Sequence, residues 1–104
     1  PLANESRLKT LLASQPESGP LNFALGNLYS RQNRWSEAQQ VYFNAVAADA
    51  DNPDYLFNLA VSLDHLRQPK LAAQHYRLAL EAAQRRPAAF DRDRVKLRLA
   101  ELQP

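Results

Sequence analysis

The stretch LGNLYSRQNRWSEAQQVYFNA, residues 25–45, decides the fold, because the chain repeats its pattern. Shifted by 34 residues it meets LAVSLDHLRQPKLAAQHYRLA, residues 59–79. In that register Leu25 falls on Leu59, Gly26 on Ala60, Ala38 on Ala72, Gln40 on Gln74, Tyr42 on Tyr76 and Ala45 on Ala79. Just outside the stretch, Phe23 falls on Phe57 and Val46 on Leu80. The matched positions are small or aromatic, which has a packing meaning. Small residues at 26/60 and 38/72 let two helices of a hairpin approach closely, and 45/79 does the same for the next helix along. Tyr42 and Tyr76 then fill the wedge between them.

Working outward, the hydrophobic periodicity is helical throughout, and no useful segment alternates with period two. Alanine, leucine, glutamine, arginine and glutamate dominate, and these are good helix formers. Prolines at 16, 20, 53, 69 and 87 punctuate the chain. Proline fits the first turn of a helix but not its interior, so the helices lie between these positions. Six are expected, at about Ala3–Ser14, Pro20–Gln32, Trp35–Ala48, Pro53–Leu66, Pro69–Gln84 and Ala88–Leu102, with Asn52 a cap ahead of Pro53. Short connections make neighbouring helices antiparallel. The expected fold is all-α, a stack of antiparallel helical hairpins forming an α-solenoid.

Composition narrows the function. A chain of 104 residues, 45% apolar and 23% charged, has enough material for a core of its own. With no cysteine there is no disulfide framework, thiolate metal site or cysteine nucleophile. Two glycines supply neither the turns of an all-β domain nor a phosphate-cradling loop. No apolar run approaches the roughly 18–20 residues that span a bilayer, so no direct membrane insertion is expected. The net charge of +2 is too small to argue for nucleic acid. Its distribution is uneven: residues 1–84 hold 7 Lys/Arg against 8 Asp/Glu, and residues 85–104 hold 6 against 3. The resulting basic patch, Arg85, Arg86, Arg92, Arg94, Lys96 and Arg98, reads first as a solvated face, and second as a seat for an acidic or phosphate-bearing partner. Phe90 is its only aromatic, so no stacking platform for nucleic acid is evident.

Catalysis finds little support. No serine has a plausible base in the pattern. His65 and His75 fall at different repeat positions, and a metal needs three or four converging ligands, whereas His65 with Asp64 offers two. Asp49 and Asp51 read as solvated turn residues. No enzyme activity, metal or cofactor is expected.

On these residues the chain resembles the tetratricopeptide repeat family, a 34-residue helix–turn–helix unit. The family's pattern falls on Leu25, Gly26, Tyr29, Trp35, Ala38, Tyr42 and Ala45, and again on Leu59, Ala60, Leu63, Ala72, Tyr76 and Ala79. Departures are Asn22 in place of a large aromatic, Asn33 and Arg67 in place of the turn glycine, Ala50 and Gln84 in place of the closing proline, and Pro69 in place of an aromatic. The resemblance implies four parts: 1–18 as the second helix of a truncated repeat, repeats at 19–52 and 53–86, and a capping helix at 87–104. Pro16 falls where a closing proline belongs, and Pro87 lies 34 residues after Pro53. Arg94 occupies the small position of the last segment, which therefore does not invite a further helix. Pro1 opens a chain without methionine, so an array that begins before residue 1 is expected.

The resemblance further implies a superhelix whose first helices line a concave groove that binds a protein or peptide partner. Phe23, Asn27, Ser30 and Arg31 are expected there from one repeat, and Phe57, Asn58, Val61, Asp64 and His65 from the next. The terminal helix would add Ala88, Asp91, Arg92, Val95 and Arg98. Phe23 and Phe57 would anchor by apolar burial, Asn27 and Asn58 would bond a peptide backbone, and Arg31, Arg92 and Arg98 would select acidic side chains. Chaperone-binding relatives clamp a terminal carboxylate with two lysines, two asparagines and an arginine. Asn27, Asn58 and Arg92 match that set, but Phe23 and Ala88 replace the lysines, which disfavours a clamp. Inter-repeat hydrogen bonding is the structural alternative for Asn27 and Asn58, and core packing for Phe23 and Phe57. Two other roles stay open: homodimerisation through Leu2, Leu8, Leu11 and Leu12 of the first helix, and service as a regulatory domain of a larger enzyme or transport protein. Repeats of this Ala/Arg/Gln-rich kind look bacterial and resemble envelope assembly factors of pili and secretion systems. No targeting segment fixes the compartment.

Overall fold

Among the described residues, four of six helices start on a side chain that accepts backbone N–H groups of the first turn. Asn4 caps α1 (Glu5–Ser14), Ser18 caps α2 (Gly19–Arg31), Asn52 caps α4 (Pro53–His65) and Asp91 caps α6 (Arg92–Leu102). The remaining two, α3 (Trp35–Ala48) and α5 (Pro69–Ala82), have no side-chain cap. They are entered instead through tight turns in which Asn33 and Arg67 take left-handed backbone, φ 59° and 60°. In the first turn, Arg34 N–H donates to the Tyr29 carbonyl and Asn33 N–H to that of Ser30. Gln68 and Arg67 repeat those bonds to Leu63 and Asp64. These pairs form the Schellman arrangement, which satisfies the carbonyls a helix end leaves unpaired. The computed structural model describes residues 4–103; Pro1, Leu2, Ala3 and Pro104 lie outside it. All regular structure among the described residues is helical.

The 34-residue period is visible in the helix starts, residues 19 and 53 for α2 and α4, and 35 and 69 for α3 and α5. Each pair, α2 with α3 and α4 with α5, is an antiparallel hairpin, and α3 packs on α4. Among the core residues, Ala38, Tyr42, Ala45, Leu59, Ala60, Leu63, Ala72 and Ala79 are fully buried. Burying one such leucine is worth about 1.5–3 kcal/mol. The small residues act as expected: the Tyr42 ring rests on the bare backbone at Gly26.

Asn22, at a position where the family pattern has an aromatic, is buried and donates to the carbonyls of Pro16 (3.2 Å) and Ser18 (2.8 Å). It thereby ties down the α1–α2 connection. At the N-terminal side, Leu8 is buried and Leu12 half-buried against the core, while Leu11 is exposed. Leu2, the remaining residue of the expected dimer surface, lies outside the described residues. A charge network holds the same helix. Arg34 pairs with Glu5 at 2.7 Å and with Glu37 at 2.7 Å, and Tyr29 donates to Glu5 at 3.1 Å.

The sixth helix corrects the sequence reading. It begins at Arg92, not at Ala88, so Ala88 is not a helical groove residue. Residues 86–91 leave the helix because Pro87 disfavours α geometry at Arg86, and because the freed segment is used elsewhere. Asp54 accepts the Ala89 N–H at 2.9 Å, and the Phe90 ring stacks on Phe57 with centroids 4.8 Å apart. Downstream, Val95 is buried and Arg98 meets Asp64, the residue 34 positions before it. Leu97 is 68% exposed, although its counterpart Leu63 is fully buried beneath α5. On α6 no following helix among the described residues covers that face.

Candidate functional site

The α4–α6 seam places charged and apolar groups in one cleft of about 430 Å³. Phe57, Val61 and Asp64 come from α4, Tyr76 from α5, and Arg94, Val95 and Arg98 from α6, with Phe90 and Asp91 from the connection between α5 and α6. The spacing within α4 puts 57, 61 and 64 on one helical face, and 94, 95 and 98 do the same on α6. A second cleft of about 710 Å³ adjoins it at Asp64 and Arg98, and runs past His65 and Arg67 to Leu102.

An ion pair joins the two walls. Arg98 donates Nε to Asp64 at 2.8 Å and Nη2 at 2.7 Å, and Tyr76 donates its hydroxyl to the same carboxylate at 3.0 Å. The guanidinium holds the Asp64 carboxyl below its usual range, against partial burial that works the other way. Burial, with the Asp64 charge second, pushes the Tyr76 hydroxyl well up. Asp64 therefore stays charged and Tyr76 neutral at pH 7.

Phe23 is half-buried, with its ring 4.8 Å from Tyr55 and 5.8 Å from Tyr42, so it packs one hairpin on the next. Phe57 repeats this with Phe90 and Tyr76 but also lines the cleft. Asn27 accepts the Tyr42 hydroxyl at 2.6 Å, inside its own hairpin, and the Ser30 hydroxyl donates to the Asn27 carbonyl at 2.9 Å. Asn58 donates to the Asp54 carbonyl at 2.8 Å, inside its own helix. Neither asparagine bridges repeats through these bonds, which corrects that alternative. Arg31 is exposed at the end of α2. His65 is exposed and lies flat on Trp35, with centroids 3.8 Å apart and planes 5° apart. Arg92 donates to the Ala83 carbonyl. Thus the structure gathers Phe57, Val61, Asp64 and Arg98 around one cleft, and leaves Phe23, Asn27 and Ser30 in the packing of the first hairpin.

Most of the basic patch turns out to be internal wiring. Arg85 pairs with Asp51, Arg86 with Asp49 at 2.9 Å, and Arg98 with Asp64. The arginines hold all three aspartates below their usual carboxyl range. Arg94 and Lys96 have no ion pair among the described residues. The sequence reading missed Tyr76, Phe90 and Arg94 as cleft residues. Phe90 sits one residue off the 34-residue counterpart of Tyr55, so strict register passes it over. No group of three or more metal-ligating side chains exists among the described residues, and no described helix is long and apolar enough to cross a membrane.

A family profile described as tetratricopeptide repeat matches residues 23–87. No curated protein matches the chain. Among solved structures, the type III secretion translocator chaperone SycD of Yersinia enterocolitica superposes with a TM-score of 0.84 at 19% identity, covering 94% of this chain and 68% of that one. A chain of the CopN-Scc3 complex superposes with a TM-score of 0.76 at 15% identity, covering 95% of this chain and 56% of that one. At such identities the likeness is one of fold.

Proposed function

Because this chain belongs to the tetratricopeptide repeat family, we propose that it is a non-enzymatic protein-interaction module that holds an extended peptide or a helix of a partner against its first helices. The observation that carries this reading is the α4–α6 cleft. Its floor of Phe57, Val61, Phe90 and Val95 offers apolar burial, and its rim of Asp64, Arg94 and Arg98 offers polar contacts. Binding sites combine an apolar body with a few placed polar groups in this way. Phe57, Asn58, Val61 and Asp64 would lie on the binding face, and Arg98 would hold Asp64 in place there rather than select acidic side chains. Phe23, Asn27, Ser30 and Arg31 would extend it along α2, and His65 and Arg92 would flank it. The fold shared with a type III secretion translocator chaperone supports a scaffold role in assembling a bacterial envelope machine. Nucleic acid is not the expected partner, because half of the basic patch is spent on internal ion pairs.

The test is capture of a partner by the immobilised 104-residue chain, followed by cross-link mapping of the bound segment. The cross-links should cluster on α4 and α6. Val61→Ser should weaken capture by about tenfold, since losing apolar burial in a cleft costs about 1–2 kcal/mol. Undiminished capture by that variant, with unchanged helical circular dichroism, would falsify the cleft assignment.

A further inference from the structure

We propose that the segment seated in the α4–α6 cleft carries an apolar side chain next to a carboxylate, and that Arg94 is the residue that reads the carboxylate. This deepens, and rests on, the reading of the cleft as the partner's seat. The floor dictates the apolar part. Phe57 and Phe90 are stacked face to face, Val61 is half-exposed beside them, and Val95 is buried. None of these four offers a polar side-chain atom, so the group that fits between them is aliphatic or aromatic.

The rim dictates the charge. It holds two carboxylates and two guanidiniums, and three of these four groups are already engaged. Asp64 accepts two bonds from Arg98 and one from Tyr76. The remaining nitrogen of Arg98 donates to Glu101 at 3.1 Å. Asp91 accepts the N–H groups of Asp93 (3.0 Å) and Arg94 (3.3 Å) through Oδ1 alone, as the cap of α6. Arg94 alone lines the cleft with an exposed guanidinium that makes no ion pair among the described residues. Its planar fork keeps all its donors, in a geometry that matches a carboxylate. An incoming lysine would find Asp64 taken on both oxygens and Asp91 open on one oxygen only, and would face the Arg94 charge beside it. An incoming glutamate or aspartate would find the unspent fork.

The repeat register sharpens the point. One and two periods earlier the same position is Ala60 and Gly26, both buried under the second helix of their hairpins. On α6 no helix among the described residues covers that face, and the position carries a cation.

The experiment titrates three acetylated, amidated pentapeptides, Ser-Glu-Leu-Glu-Ser, Ser-Gln-Leu-Gln-Ser and Ser-Lys-Leu-Lys-Ser, into the methyl-labelled protein, following the Val61 and Val95 resonances at low salt. The glutamate peptide should bind about threefold tighter than the glutamine peptide, and the lysine peptide weakest, as suits one partly exposed ion pair. Arg94→Glu, at an exposed position that leaves the fold intact, should reverse that order. Equal affinities, or an order unchanged in Arg94→Glu, overturn the role of Arg94 and leave the cleft standing as an apolar seat. No movement of Val61 or Val95 with any peptide overturns the seat itself.

Discussion

The Tyr42 ring lies so close to Gly26 that a Cβ on that glycine would stand 2.4 Å from Tyr42 Cε1 and 2.6 Å from Cδ1. The glycine is helical and needs no unusual backbone; what it supplies is space. In a helix interior alanine is preferred over glycine by roughly 0.5–1 kcal/mol. Forcing a methyl group into a packed core costs about 1–3 kcal/mol. The clash is with ring atoms of a fully buried side chain, so the second effect wins. Gly26→Ala should lower stability by about 1–2 kcal/mol in urea unfolding. A variant as stable as the parent would mean the hairpin can spread without cost.

Arg67 sits in left-handed backbone at φ 60° with no glycine to relieve it. That conformation costs a non-glycine residue about 1–2 kcal/mol, partly offset by the greater freedom glycine has when unfolded. Arg67→Gly should therefore raise stability by about 0.5–1 kcal/mol. Asn33→Gly should gain less, since asparagine tolerates this region better than arginine. Equal gains at the two sites would show that the side chain at Asn33 brings no such relief.

The α6 helix buries a single residue, Val95, and the Asp64–Arg98 pair is its charged tie to α4. Arg98 is about half exposed and Asp64 only 16% exposed, so the pair is worth about 1 kcal/mol. Arg98→Gln should speed hydrogen exchange of α6 amides by about fivefold relative to those of α4. Raising salt should shrink the difference between variant and parent, because screening weakens the parent's pair. Parallel exchange of α4 and α6 in both proteins would show that α6 opens only with the whole domain.

Acid should loosen α1. The Arg34 guanidinium beside Glu5, with Lys9 second, holds its carboxyl at about 2, below the ordinary 4.5. A carboxyl whose folded pKa lies below its unfolded one contributes stability that is complete above the unfolded value. That contribution is lost as pH falls towards the folded one. Between pH 4.5 and 2 the parent should thus lose the Glu5 contribution, and Glu5→Gln should show a shallower fall of Tm over that window. Identical acid limbs for parent and variant would place the network outside the stability balance.

Helix positions were legible in the sequence wherever one residue or one turn decided them. Pro53 and Pro69 mark the first residues of α4 and α5, and Asn52 caps α4 as its place before Pro53 implied. The pairing of Gly26 with Tyr42 across a hairpin was legible too, because a period of 34 residues prints the same small and aromatic positions twice. The site was legible only in part. Phe57, Val61, Asp64 and Arg98, which line the cleft, were expected from the family resemblance and not from the period alone. Whether an arginine faces a partner or an internal aspartate depends on which helices stand opposite it, and periodicity carries no such information. The start of α6 failed for a related reason. Pro87 repeats Pro53 in register, but Phe90 finds a stacking partner in Phe57, and the chain gives up a turn of helix to reach it.

The sequence by itself thus determined an all-α hairpin stack and its period, because local backbone preference and the spacing of small residues act over a few turns of one chain. Only the tertiary structure decided which charges are spent. Arg85, Arg86 and Arg98 close on aspartates 34 to 37 positions away, while Arg94 remains open on the cleft. Charge pairing depends on distances of a few ångströms between side chains far apart in sequence, and those distances exist only once the hairpins have stacked.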